Sequence, residues 1–255
     1  MYVKSRSCEG APSQSRDYHL GWVGRTMNGN RETKMKPTVV ITGANRGVGL
    51  ALAGHYFDAG WQVIGVCRQS SEELDRVADQ VIENIDVTQP DDIVRLVTAL
   101  DAQAITLLIN NAGMLRDESL GNIDFDSIRE QMEINAYAPL RVVEALLPNL
   151  AEGSKIANIT SRMGSIADND SGGRYGYRAS KAALNAFGKS LAVDLKPKGI
   201  AVAQLHPGYV QTRMVNFGGL ISPQEAALGI AARIEALTLD NSGGFWHSNG
   251  ELLSW

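Results

Sequence analysis

The sequence is poor in residues that cross-link a chain or bind metals. Its two cysteines, Cys8 and Cys67, lie far apart without a CxxC spacing, which argues against a zinc knuckle, a redox dithiol or a disulfide scaffold. The four histidines are scattered without the spacing of metal ligands, so we predict no metal site. No apolar run approaches the roughly 20 residues that a membrane-spanning helix needs. Together these absences predict a soluble, cytoplasmic protein without a membrane partner.

Acidic residues are scarce at the start of the chain. Residues 1–36 carry seven lysines and arginines against three acidic residues, whereas the remainder carries 17 against 25. An acidic main part argues against nucleic acid as a partner. Residues 1–36 also lack a sustained apolar period, so we predict a disordered extension there and a single domain at 37–255. The basic, serine-containing composition of the extension is also found in organelle transit peptides. Transit peptides are poor in acidic residues, so Glu9, Asp17 and Glu32 weaken this interpretation.

From Thr38 onward, short β-branched runs alternate with helical stretches. Runs buried on both faces and separated by helices indicate a parallel sheet covered by helices on both sides. We therefore predict an α/β fold, a single doubly wound Rossmann domain with about seven strands. The predicted strands are 38–42, 61–67, 81–86, 105–109, 155–160, 200–205 and 244–248, and the predicted helices are 47–59, 71–80, 90–102, 124–150, 175–197 and 223–238.

A glycine-rich turn, Thr42-Gly-Ala-Asn-Arg-Gly-Val-Gly49, follows the first strand and opens a helix. Its glycines have the spacing GxxxGxG, which differs from the GxGxxG of the common dinucleotide fingerprint. Glycines let the backbone approach a pyrophosphate, and a helix N-terminus offers unpaired N–H groups and the positive end of a dipole. The turn predicts a dinucleotide site, with an ordinary strand-to-helix turn as the alternative.

Tyr177 and Lys181 stand four residues apart in a predicted helix and therefore share one face. A phenol has a pKa of about 10, and a neighbouring ammonium favours its ionised form. Such a pair beside a nucleotide site is suited to moving a hydride and a proton together, so we predict an oxidoreductase. Taken alone, the pair is also typical of an exposed helix surface. Tyr175 has no lysine four residues later and is the weaker candidate.

Two more polar residues are predicted to lie near this pair. Ser161 follows the fifth strand, and its hydroxyl can donate to a substrate oxygen or cap a turn; strand alternation points Thr160 the other way. Asn135 precedes Pro139 by four residues, and proline has no N–H to donate to the Asn135 carbonyl. We hypothesise that this carbonyl binds a water that leads to Lys181, the alternative being that Pro139 only bends a helix.

These motifs occur in the order found in short-chain dehydrogenases/reductases, which residues 38–255 resemble, and the tail 243–255 is similar to that of the carbonyl-reductase and C-factor-like branch. The resemblance implies a catalytic set of Asn135, Ser161, Tyr177 and Lys181, with Lys181 also holding the nicotinamide ribose. It implies cofactor contacts from Gly43, Asn45, Arg46, Gly47, Val48, Arg68, Asp86, Val87, Asn111, Ala112, Gly113, Tyr177, Lys181, Pro207, Gly208, Val210 and Thr212.

Charge at the end of the second strand predicts NADPH in preference to NADH. Sites for NAD place a carboxylate there to hold the ribose 2′-hydroxyl, whereas this strand ends at Arg68. Arg68 and Arg46 can clamp a 2′-phosphate, with two solvated arginines as the alternative. Asp86 resembles the family's adenine contact and is equally well interpreted as a cap at the end of a strand.

The sequence therefore predicts an NADPH-dependent carbonyl reductase that converts a small aldehyde or ketone to the alcohol, with Tyr177 as general acid. The short connection from Gly208 to Ser222 carries Met214 and Phe217 and predicts an open, apolar pocket. The alternatives are NAD(P)-dependent alcohol oxidation by the same residues and a cofactor-binding signalling protein of the C-factor type. Small residues on the helix 175–197 favour a homodimer or homotetramer; they are Ala179, Ala182, Ala183 and Ala186.

Overall fold

The computed structural model describes residues 36–255, so the predicted extension at 1–36 lies outside the described residues except for Lys36. The strands in the described part are β1 Thr38–Thr42, β2 Gln62–Val66, β3 Gln80–Ile82, β4 Ile105–Asn110, β5 Leu150–Ile159, β6 Ala201–His206 and β7 Phe245–His247. These seven strands form one parallel sheet in the order β3-β2-β1-β4-β5-β6-β7. This confirms the predicted α/β class and the number of strands.

Helices cover both faces of the sheet. The helices are α1 Gly47–Asp58, α2 Glu72–Val77, α3 Pro90–Leu100, α4 Phe125–Met132, α5 Ala138–Leu146, α6 Tyr175–Leu195 and α7 Pro223–Glu235. Because side chains alternate along a strand, Val39 and Ile41 pack in a core beneath α1 and α7, while Val40 packs in a second core beneath α3, α5 and α6. The apolar runs are uninterrupted because each strand supplies both cores.

The strand order reverses direction at β1 and β4, which lie side by side with Ile41 opposite Ile109. The chain leaves these two neighbouring strands toward opposite sides of the sheet, and a crevice opens at their carboxyl ends. The glycine-rich turn after β1 and the Asn110-Asn-Ala-Gly113 turn after β4 therefore form adjacent walls of the same crevice.

The predicted helical stretch 124–150 is helical from Phe125 to Asn149, but it is not one regular α-helix. Residues Glu133–Tyr137 form a π-helical turn between α4 and α5, in which the N–H of Ala138 donates to the carbonyl of Glu133. Pro139 follows directly and has no N–H to continue the α-helical ladder, which explains why the helix widens here. The last turn, Leu147–Asn149, is a 3₁₀-helix.

Strand β5 begins five residues earlier than predicted, at Leu150. Its pairing with β4 shifts register between Ile105 and Leu107. Ser154 holds this irregular part, because its hydroxyl donates to the carbonyl of Ile105 at 2.7 Å and accepts from the N–H of Ala151 at 3.0 Å. The sequence around Ser154 is polar and lacks the apolar run of a buried strand, so sequence reasoning placed the start of β5 too late.

Within residues 36–255, no helix is long and apolar enough to cross a membrane. The same residues hold no group of three or more His, Cys, Asp and Glu side chains arranged as metal ligands.

Candidate active site

The glycine-rich turn after β1 leaves the start of α1 open. Gly43 and Gly47 adopt left-handed backbone angles, with φ of +66° and +58°, which other residues rarely adopt. A Cβ on Gly49 would overlap the carbonyl oxygen of Gly43. Arg46 is the N-cap of α1, no side chain caps the helix, and its first turn holds no acidic residue. The cradle therefore fits a diphosphate, which the free N–H groups and the helix dipole would bind.

The turn after β4 packs directly on the glycine-rich turn. The side-chain amide of Asn111 donates to the carbonyl oxygens of Thr42 and Gly43, both at 3.0 Å. The hydroxyl of Thr42 accepts from the N–H groups of Asn111 and Ala112 at 3.0 and 3.2 Å. The two motifs thus form one unit, and Thr42 joins them. Our sequence reasoning did not select Thr42, although a polar residue at the end of a fully buried strand is the signal that would have found it.

The predicted adenosine side is built from the segments after β2 and β3. The amide of Asn45 donates to the carbonyl of Gln69 at 2.8 Å and joins the glycine-rich turn to the segment after β2. The exposed guanidinium of Arg68 lies 3.8 Å from the carboxylate of Asp86. That carboxylate also accepts from the N–H and the hydroxyl of Thr88 at 3.0 and 2.7 Å. Asp86 therefore caps a turn before α3, and its second oxygen faces Arg68.

Two apolar residues predicted to contact the cofactor lie on either side of this region. Val48 is half-buried in the first turn of α1, and Val87 is buried after β3. Val87 lies close to Ala112 and Pro139, between the turn after β4 and the start of α5.

The loop after β6 reaches back over the glycine-rich turn. A Cβ on Gly47 would lie 3.3 Å from the methyl group of Thr212. Val210 is buried and pairs with Ile221, and a Cβ on Gly208, next to Pro207, would lie 2.9 Å from the side chain of Ile221. The loop after β6, which is predicted to contact the cofactor, and the predicted diphosphate cradle are therefore in contact.

Tyr177 and Lys181, in the first half of α6, are only 8 % and 5 % exposed. The Lys181 ammonium lies 5.9 Å from the centroid of the Tyr177 ring and donates to the carbonyl of Ile159 at 2.9 Å. The hydroxyl of Ser161 lies near enough to the Tyr177 phenol to lower its pKa. It also accepts from the N–H of Met163 at 3.1 Å, so Ser161 caps a turn and faces the phenol as well.

Asn135 lies beside this group. A Cβ on Gly113 would be 2.8 Å from the Asn135 side-chain oxygen and 3.7 Å from the Lys181 ammonium. The Asn135 side chain accepts from the N–H of Met114 at 2.9 Å and donates to the Met114 carbonyl at 2.8 Å and to the Ser180 hydroxyl at 3.0 Å. Its amide therefore ties the segment after β4 to α6, and the hypothesised water relay concerns its main-chain carbonyl, in the π-helical turn.

The two rejected alternatives lie elsewhere. The hydroxyl of Thr160 donates to Asn185 at 2.8 Å, inside the contact between β5 and α6. Tyr175 is 39 % exposed at the start of α6. The structure brings together Asn135, Ser161, Tyr177 and Lys181, and it leaves Thr160 and Tyr175 outside the group.

Burial controls the ionisation of the pair. It raises the pKa of Tyr177, while the Ser161 hydroxyl and the positive charge of Arg174 act to lower it. Burial also lowers the pKa of Lys181 to about 8. We expected Lys181 to lower the pKa of Tyr177, but the loss of solvent has the larger effect on both groups. The positive charge of Arg174 also lowers the pKa of the phenol, and our sequence reasoning missed this residue.

A ladder of buried amides underlies the site. Asn110 donates to Asn158 at 2.9 Å, and Asn158 donates to Gln204 at 3.0 Å. The three residues lie opposite one another in β4, β5 and β6. The ladder holds these strands together where Asn111, Ser161 and Pro207 leave the sheet. A polar residue near the end of each of three apolar strands was the available signal.

Comparison with known proteins agrees with this arrangement. The family described as short chain dehydrogenase matches residues 37–218, and the chain belongs to this family. It is 38 % identical over 224 residues to a 1-hydroxy-2-glutathionyl-2-methyl-3-butene dehydrogenase of Rhodococcus sp. (strain AD45), covering 86 % of this chain and 99 % of that one. It is 40 % identical over 154 residues to the C-signal of Myxococcus xanthus, covering 59 % and 93 %.

Among solved structures, the NADPH bound carbonyl reductase from chicken fatty liver superposes with a TM-score of 0.77 at 28 % identity, covering 87 % of this chain and all of that one. The protein is therefore an NAD(P)-dependent oxidoreductase that acts on CH–OH or C=O groups. This confirms the family, the fold and the class of enzyme predicted from the sequence.

Proposed function

We propose that the protein reduces a small aldehyde or ketone to the alcohol with NADPH, and that Tyr177 is the general acid. The observation that carries this proposal is the buried phenol of Tyr177, whose pKa the Ser161 hydroxyl lowers and whose ring has the Lys181 ammonium over it. A buried phenol that keeps its proton at neutral pH is a proton donor for an oxygen placed beside it.

Each residue has one task in the reaction. When bound, the reduced nicotinamide supplies the hydride for the carbonyl carbon. Ser161 donates a hydrogen bond to the carbonyl oxygen and stabilises the negative charge that develops there. Tyr177 transfers its phenolic proton to that oxygen, so that an O–H bond replaces the C–O π bond. The charges of Lys181 and Arg174 favour the phenolate that remains.

The preference for NADPH rests on two exposed cations near the start of α1. Arg46 is the uncapped N-cap of α1, and Arg68 follows β2. No acidic side chain lies in the first turn of α1. Two guanidinium groups and a helix N-terminus would bind a 2′-phosphate and the diphosphate together. The carbonyl reductase from chicken fatty liver, which has a similar fold, binds NADPH.

The substrate end is apolar. Tyr209, Met214 and Phe217 project from the loop after β6 and are about half-exposed or more. Such a surface accepts a small carbonyl compound by burial of apolar area.

We also propose a homodimer or homotetramer. The ring centroids of Tyr137 and Phe187 lie 6.2 Å apart, and Tyr137 stays exposed next to α6, where a second copy could cover it. Light scattering checks the oligomer, and the cytoplasmic location stays a prediction.

Replacing Tyr177 by Phe tests the proposal. Reduction of a panel of aldehydes and ketones, followed by NADPH consumption, should fall by roughly 10²–10⁴-fold, while NADPH binding stays within about twofold because the ring remains. Tyr175→Phe, which changes the exposed neighbour in the same way, should keep wild-type turnover. Wild-type-like turnover in Tyr177→Phe would refute Tyr177 as the acid.

The same panel separates the two alternative functions. The name of the Rhodococcus relative favours alcohol oxidation, which would appear as faster turnover of hydroxy compounds with NADP than of carbonyl compounds with NADPH. The similarity to the Myxococcus C-signal favours a signalling protein, which would appear as tight cofactor binding without turnover in either direction.

A further inference from the structure

A buried carboxylate outside the catalytic group lies at the start of α6. Glu118 lies in the segment between β4 and α4 and is only 5 % exposed. One carboxylate oxygen accepts from the N–H of Gly176 at 3.1 Å. The other accepts from the Ser127 hydroxyl at 2.9 Å and from the Gln131 amide. Nothing in the proposed reaction uses this carboxylate, and ionisable groups are rarely buried without a purpose or a partner.

Gln131, in α4, also binds the backbone of the segment after β4. It is fully buried in α4, and its side-chain oxygen accepts from the N–H of Arg116 at 2.9 Å. Glu118 and Gln131 together therefore satisfy N–H groups from both the segment after β4 and the first turn of α6. Each side chain has one arrangement that satisfies all its partners, because glutamine must donate where glutamate accepts.

Glu118 accepts hydrogen bonds from the start of α6, the part of the helix that carries Tyr177. Its main-chain carbonyl accepts from the N–H of Arg174 at 2.9 Å, and its carboxylate accepts from Gly176, the residue directly before Tyr177. A Cβ on Gly176 would lie 2.6 Å from the Gln131 amide and 3.0 Å from the Glu118 carboxylate. The carboxylate therefore touches the backbone of α6 itself, at the end of the helix where negative charge is favourable.

We propose that Glu118 is a positioning residue for Tyr177: its carboxylate holds the first turn of α6 and so sets the distance from the phenol to Ser161. This inference rests on the proposed role of Tyr177 as the proton donor. A displacement of about 1 Å in a reacting group can lower a rate by up to about 10²-fold. Without the carboxylate, the N–H of Gly176 loses its acceptor in a buried place, so the turn must shift to find another.

An exchange of the two side chains tests this inference. In Glu118→Gln, the new amide faces the donating amide of Gln131, so kcat should fall at least about tenfold while the KM for NADPH stays within about twofold. In Gln131→Glu, two carboxylates face each other and kcat should fall as well. In the double variant, the amide at position 118 donates to the carboxylate at position 131. Every N–H then regains an acceptor, and kcat should return to within about threefold of wild type.

Control and milder variants complete the design. Glu130→Gln removes one charge from an exposed position of α4 and should leave kcat unchanged. Ser127→Ala removes one donor to the same carboxylate and should lower kcat about threefold without changing KM. If Glu118→Gln does not fold, Ser127→Ala tests the positioning role instead. A wild-type kcat in Ser127→Ala would then overturn the inference.

The outcomes are distinguishable from failure of the proposed function. Turnover by Tyr177→Phe at the wild-type rate would remove Tyr177 as the acid, whatever Glu118 does. If Tyr177→Phe is inactive and a folded Glu118→Gln keeps the wild-type kcat, the positioning role is refuted. It is also refuted if kcat and NADPH binding fall equally in Glu118→Gln and the exchange variant restores neither, since that pattern indicates a general structural role.

Discussion

The Lys181 ammonium lies 5.9 Å from the centroid of the Tyr177 ring, one turn away on α6, and both side chains are almost completely buried. Burial acts on the two groups in opposite directions, because it disfavours whichever form is charged. It raises the pKa of Tyr177 and lowers the pKa of Lys181 to about 8. At neutral pH the phenol and the ammonium therefore both keep their protons, which is the state that the proposed reduction requires.

The lowered pKa of Lys181 predicts a break in the pH profile of reduction. Below about pH 8 the ammonium is charged, and above it the charge is lost. We expect kcat/KM for NADPH, which reports the free enzyme, to fall above this pH by about tenfold per unit. Lys181→Arg keeps its charge throughout, so this variant should be slower but without the break. A break at the same pH in both proteins would assign it to another group.

The two arginines near α1 predict the cofactor preference. Arg46→Ala together with Arg68→Ala should raise the KM for NADPH by at least about 30-fold, because charge-assisted hydrogen bonds to the 2′-phosphate are lost. The KM for NADH should change by less than about threefold. Arg76→Ala, which removes an exposed arginine paired with Glu72 on α2, is the control. An equal loss for both cofactors would contradict the assignment.

Two helical glycines predict opposite effects of the same substitution. A Cβ on Gly188, in α6, would overlap the amide of Gln204, which is buried and bonded to Asn158. Gly188→Ala should therefore destabilise the protein by about 2 kcal/mol, since it overpacks the contact and breaks the amide ladder. A Cβ on Gly54, in α1, would meet nothing within 4 Å, so Gly54→Ala should stabilise by about 0.5–1 kcal/mol.

Thermal unfolding measures both effects. A change of 1 kcal/mol shifts Tm by about 2–4 °C in a domain of this size, so Gly188→Ala should lower Tm by about 4–8 °C and Gly54→Ala should raise it slightly. A rise in Tm for both variants would show that Gln204 moves aside without cost.

Sequence reasoning worked where the signal lies within a few residues. Tyr177 and Lys181 share a face because they are four apart on one helix, and the apolar runs from Val39 onward predicted buried parallel strands. It predicted the helical stretch 124–150 but not the π-helical turn at Glu133–Tyr137, which directly precedes the α-helix that carries Pro139. It also missed the early start of β5, because a serine-supported irregularity does not have the pattern of a strand.

The residues that the sequence did not reveal depend on partners far along the chain. Glu118 binds an N–H 58 residues later, and Asn158 bonds Gln204 46 residues later. No local period records such pairs, and each residue alone has the composition of an ordinary loop or strand end. The raised pKa of Tyr177 could not be predicted for the same reason. It depends on atoms of distant segments that exclude water from the phenol.

By itself, the sequence determined the α/β class, the place of the glycine-rich turn at the start of a helix, and the common face of Tyr177 and Lys181, because these follow from the local periods of strands and helices. The tertiary structure alone decided that Thr42 joins the two turns, that burial controls the ionisation of the pair, and that Glu118 reaches the backbone of α6. These features depend on exclusion of water and on donor–acceptor matching between segments that meet only in the folded chain.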